Sequence, residues 1–193
     1  MKPANLIFAI LICSAFGCSD SVTAPVGDAE SGQNPGDSTP IVPAPGGQKG
    51  APKDLSLLLP PDDPSHKWGV LQGTDDAMLI VRRSTSAEEW KAHPGLPVSL
   101  RFAVPVKNLL DQAELDQLNV IEDTIVKEVG RRTPAVYALA LTTATVKEFV
   151  FYIPEGVEIP ELHEALQGMV KTHEVQCMAK KQPDWATYEQ FSE

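Results

Sequence analysis

The sequence is short of cysteine, of positive charge and, over its first third, of aromatic residues. It has three cysteines in 193 residues, Cys13, Cys18 and Cys177, too few for a disulfide-stapled scaffold. Residues 19–64 hold nine prolines and six glycines but no aromatic side chain. Such composition buries too little apolar surface to offset the entropy of ordering. Sixteen basic residues face 26 acidic ones, a net charge of −10. An acidic chain is a poor partner for nucleic acid, which rewards a basic face. It is also repelled by anionic lipid, so membrane attachment must be covalent or hydrophobic. There is no Gly-rich phosphate loop, no Gly-x-Ser-x-Gly elbow and no His-x-x-x-His pair. No cofactor is expected.

The N-terminus is apolar. Lys2 is followed by Leu6–Ile12, a run too short to span a bilayer but of the length of a signal-peptide core. Small residues Ser14, Ala15 and Gly17 lead to Cys18, and the chain then turns polar. Ala15-Phe16-Gly17-Cys18 resembles the bacterial lipobox, although Ala15 stands where Leu is usual and Phe16 is bulky. The resemblance implies a signal peptide over 1–17 and acylation of Cys18, with Cys177 as the mature protein's one thiol. Several acyl chains would hold the protein firmly, where one gives marginal binding. It further implies a cell-membrane location, the outer membrane in a diderm host because Ser19 is permissive for it, facing the periplasm or the surface. Residues 18–64 then form a disordered tether with an end-to-end distance on the order of 35–40 Å. Leu55–Leu59 is its one apolar patch and is expected to dock on the domain.

Residues 65–193 hold every Trp and Tyr and suffice for one domain. Lys67–Leu71 and Met78–Arg83, joined by Gly73-Thr74-Asp75-Asp76, predict a hairpin. Val98–Val104 alternates as a third strand. A helix is expected over Gln112–Val129, capped by Asp111 with Glu114 three residues on and ended by Gly130. Its stripe is Leu115, Leu118, Ile121, Ile125 and Val129. Val136–Thr142 and Val146–Ile153 predict a second hairpin. Pro160 opens a second helix with a stripe of Leu162, Leu166, Met169 and Val170. Glu174–Lys180 is the last strand, and Asp184 caps a terminal helix bearing Trp185 and Tyr188. The fold class is α+β: a ferredoxin-like βαββαβ antiparallel sheet with two helices on one face, an added N-terminal hairpin and a short C-terminal helix.

Trp68, His93-Pro94, Ile121-Glu122-Asp123, Phe149-Val150-Phe151-Tyr152 and Asp184-Trp185 with Tyr188 occur in the order and spacing of a bacterial family. From about Trp68 to Phe191 the chain resembles the family called domain of unknown function 695. The resemblance implies a fold and no established activity.

Candidate chemistry is thin. Glu122-Asp123 reads as a solvated helix face or, functionally, as a general base or metal ligand. Neighbouring helical residues point about 100° apart, so they make no converging dyad. His93 is the third weak catalytic candidate and otherwise satisfies a loop backbone. His66, His163 and His173 show no metal spacing, and no metal ligand set is expected. Cys177 alternates with Val175 and Ala179 on the inward side and reads as a small hydrophobe. Arg82 and Arg83 must point to opposite faces. Arg131-Arg132 reads as surface charge. The expectation is an envelope lipoprotein whose domain is a non-enzymatic binding or interaction module for an unknown envelope protein or small ligand. The alternatives are an envelope hydrolase or metal-dependent enzyme using the acidic pair, and a structural or assembly protein.

Overall fold

In the computed structural model, residues 52–73 and 79–192 are described. All of them belong to the second of two compact units, Gln48–Glu193. Cys18, the 1–17 leader, most of the tether and positions 74–76 of the first turn lie outside the described residues.

Strands form where branched and aromatic residues alternate with polar ones. They are β1 (Trp68–Gln72), β2 (Ile80–Ser84), β3 (Val98–Pro105), β4 (Val136–Thr142), β5 (Val146–Ile153) and β6 (Gln176–Lys181). The helices are α1 (Gln112–Arg132), α2 (Ile159–Met169) and α3 (Ala186–Glu189). One antiparallel sheet results, in the order β1-β2-β4-β5-β3-β6. The hairpin β1-β2 adds to the same sheet. β2 pairs with β4, with Val81 opposite Leu141, so the order is not the simple four-stranded ferredoxin-like one.

Strand alternation gives each strand two kinds of partner. Leu100, Phe102, Val104, Phe149, Phe151 and Ile153 face α1 and α2, meeting Leu118, Ile121, Ile125, Leu162 and Leu166. Each such fully buried side chain contributes roughly 1.5–3 kcal/mol. The opposite face carries a second core of Val81, Leu139, Val150 and Tyr152, which periodicity alone does not announce. Trp90 and Leu96, from the 3-10 turn at Ser86–Trp90 and the loop after it, cover this face together with Trp185 and Tyr188. Trp185 stacks on Tyr152 with ring centroids 3.8 Å apart, and its indole N–H donates to Leu96 O at 3.0 Å. The terminal aromatics therefore pin the C-terminus, although Trp185, at φ 54, precedes α3 instead of lying on it.

Several details differ from the expected ones. Asp111 caps α1 by accepting from Ala113 N, but Glu114 does not close a capping box. Its carboxylate accepts instead from Lys107 N at 2.8 Å and meets the ring of His173 at 3.0 Å. The helix runs through Gly130 to Arg132. There Pro61 packs against the glycine, and an added Cβ would lie 2.8 Å from Pro61 Cδ. On α2, Met169 is half exposed while Val170 is buried, since the buried stripe closes one residue later. Ala179 is exposed, because among the described residues β6 is the edge strand of the sheet, next to β3.

The ordered domain also begins before the expected boundary at residue 65. Leu55 and Leu58 pack on the second core, as expected of that apolar patch. Lys53 pairs with Glu89 at 2.7 Å. Proline-rich composition suggested a linker here, and long-range contacts override it.

Candidate functional site

A cleft of about 210 Å³ opens where α1 crosses β1, β2 and β4, beside the segment that leads into β1. Its wall on the sheet side is Trp68, Arg82 and Tyr137, and on the helix side Glu122, Asp123 and Lys127. Asp63 and His66 close it from the leading segment. That segment is braced by its own bonds. Asp63 accepts from Ser65 N at 2.8 Å, and His66 Nε2 meets Pro60 O at 2.8 Å.

Tyr137 reaches the cleft because of an irregularity in β4. The register with β5 shifts between Tyr137, opposite Phe151, and Leu139, opposite Val150. The extra residue, Ala138, lets Tyr137 and Ala140 both face α1. Such a bulge re-aims a side chain that strict alternation would send to the other face.

The centre of the wall is Glu122, which is buried. Its position between Leu118 and Val126, four residues either side, turns it toward the sheet. Oε1 accepts from Tyr137 Oη at 3.0 Å and from Arg82 Nη2. Oε2 pairs with Lys147 Nζ at 2.8 Å. Burial pushes this carboxyl up, but Lys147 and Arg82 outweigh it and hold the group below the usual carboxylate range. Tyr137 is driven well above its ordinary value by burial and by the adjacent carboxylate. The Arg82 guanidinium lies 5.2 Å from the Trp68 ring centroid, within cation–π range.

The other candidates are distributed as follows. Asp123 is exposed on the cleft rim, as the 100° offset requires. Glu122 is not on a solvated face paired with helix lysines. Its partners come from β2, β4 and β5. His93 does not line the cleft. Its Nε2 meets Lys53 O at 2.7 Å and its Nδ1 accepts from Gly95 N, so it satisfies loop backbone beside Trp90. His163 is half buried and bonds Val175 O at 2.7 Å. Cys177 is half buried, and burial pushes its thiol up to about 11. Arg82 and Arg83 do face opposite ways, the latter toward Glu88 and the Tyr188 ring. Arg131 and Arg132 are exposed, as expected of surface charge. Both clamp the buried carboxylate of Glu128, at 2.8 and 2.6 Å.

Sequence reasoning missed Trp68, Arg82, Tyr137 and Lys147 as members of one site. Lys147 offered a signal, since it shares the inward side of β5 with Phe149, Phe151 and Ile153. Among the described residues, no group of three or more His, Cys, Asp or Glu side chains is placed to hold a metal ion. Among them, too, no helix is long and apolar enough to cross a membrane.

The model of a family described as "Family of unknown function (DUF695)" matches residues 66–192. Comparison with curated proteins and with solved structures finds no match.

Proposed function

The chain belongs to the family of unknown function DUF695, and on that premise we propose that it is an envelope lipoprotein whose domain is a non-enzymatic binding module acting through the Trp68–Arg82 cleft. The observation that carries this reading is the state of Glu122. Both of its oxygens are engaged, by a phenol, a guanidinium and an ammonium. A carboxylate held ionised by three donors is a poor proton acceptor. It is well suited to fixing Arg82 and Tyr137 as a rigid wall. The indole and guanidinium then offer a flat, amphipathic surface for a small ligand or a side chain of a partner protein. The rival enzyme reading keeps Glu122 and Asp123 in the cleft but has His93 elsewhere, bonded to backbone.

The same proposal includes attachment through acyl chains on Cys18, an outer-membrane location in a diderm host, and the part of the 18–64 segment that precedes the described residues as the tether. It also reads β3-α1-β4-β5-α2-β6 as a ferredoxin-like unit. The strand sequence β4-β5-β3-β6 supports that reading, with β1-β2 extending the sheet at β4.

The test is a photo-crosslinking residue at Lys127, on the cleft rim, compared with one at exposed Val120 on the same helix, in living cells. The reading expects an adduct from position 127 alone, lost on Trp68→Ala. Equal adducts from both positions, or an adduct indifferent to Trp68, would count against the cleft.

A further inference from the structure

A second cleft, of about 340 Å³, opens on the same side of the sheet, across the Arg82–Glu122–Lys147 group from the first. Ile80, Leu109, Leu110, Leu115 and Leu118 make its walls. Leu110, on its rim, is 90% exposed. Lys147 is the one charged residue lining this groove among the described residues, and Asn119 stands beside it.

Charge balance separates the two clefts. Two cations, Arg82 and Lys147, share the single carboxylate of Glu122, so the buried group carries one positive charge in excess. The first cleft answers it with Asp62, Asp63 and Asp123 on its rim, against one further cation there, Lys127. The groove has no acidic residue among its described lining. The ammonium has three N–H donors. Glu122 takes one at 2.8 Å, Asn119 Oδ1 stands at 3.5 Å, long for a second, and the Phe149 ring centroid lies 5.4 Å from the nitrogen. An apolar trough whose one charged lining residue is a lysine selects an amphipathic anion. Its volume is near the lower end for small-molecule sites, room for one chain rather than a helix.

We propose that this groove binds a free alkyl carboxylate, with the chain against Leu109, Leu115 and Leu118 and the carboxylate on Lys147 Nζ and Asn119. The groove is a different opening from the Trp68–Arg82 cleft but shares with its wall the Lys147–Glu122 pair, and its occupation does not depend on that cleft's function.

Equilibrium dialysis of the full chain against decanoate, decanol and decylamine, each below its micelle concentration, tests it. Decanoate should bind saturably and at least tenfold more tightly than decanol, with decylamine weakest. Lys147→Met should reduce the decanoate-to-decanol ratio below twofold, and Lys147→Arg should keep it. Because Lys147→Met also unpairs Glu122 in part, Leu115→Glu provides a second arm, in which a new carboxylate on the groove wall should lower decanoate affinity more than tenfold. A diazirine-bearing decanoate should label residues 106–119 or 142–147. Equal binding of decanoate and decanol, absence of saturable binding, or labelling at Trp68 or in the Trp185 core would overturn the proposal.

Discussion

Glu122 on α1 and Tyr137 on β4 meet inside the domain, the phenol donating to the carboxylate at 3.0 Å. The contact exists because Ala138 bulges out of the β4–β5 register. Arg82 and Lys147 complete the group, so a charge in a mostly apolar layer is compensated from three strands.

Removing that charge should be costly. Glu122→Gln leaves two partly buried cations without their counter-ion, and breaking such a pair typically costs about 3–5 kcal/mol. Tyr137→Phe removes one donor of three and should cost less, about 1–2 kcal/mol. Urea unfolding at pH 7 measures both. A Glu122→Gln variant as stable as the parent would refute the account of the wall.

The same residue sets a pH dependence. Its folded pKa lies below the unfolded value, as does that of Glu128 between Arg131 and Arg132. Their contribution is therefore complete above the unfolded carboxylate pKa, about 4.3, and is lost as pH falls through the folded values. The gap in urea midpoint between parent and Glu122→Gln should hold from pH 7 to 5 and close below about pH 4. Glu148 has the opposite sign, since burial raises it despite Arg101 at 3.2 Å. Glu148→Gln should stabilise the protein slightly at pH 7 and have no effect at pH 3.

Two glycines should respond oppositely to alanine. Gly168 on α2 has nothing near its missing Cβ, so Gly168→Ala should gain about 0.5–1 kcal/mol from helix propensity. Gly130 lies against Pro61. Gly130→Ala should lose that gain and expose residues 52–64 to limited proteolysis, read by mass spectrometry of the fragments.

How much of this was legible in the sequence depends on whether a signal was local. The strands, the helices and the opposed directions of Arg82 and Arg83 follow from alternation and periodicity, which are local. The docking of Leu55 followed from its being apolar in a polar stretch. The Ala138 bulge was not legible, because it is decided by pairing with β5. Without it Tyr137 cannot be assigned to the face of Glu122. Gly130 read as a helix end because its partner, Pro61, is 69 positions earlier and invisible to local reasoning. Lys147 was the missed local clue, a charge in an inward-facing register.

The C-terminus should act as a structural clamp. Trp185→Ala removes the ring stacked on Tyr152 and should cost about 3–5 kcal/mol. Trp185→Phe, which leaves Leu96 O without its donor, should cost about 1–3 kcal/mol. Cys177 should react with a thiol reagent more slowly in the folded protein than in urea, since its thiol is half buried and raised to about 11.

The tethered binding module is tested most directly by the intact mass of the protein extracted from membranes of its host, beside Cys18→Ala. The account predicts a chain beginning at Cys18 and carrying acyl groups, with the acyl mass absent from the variant. A chain cleaved but not acylated, or one that retains residues 1–17, would contradict it.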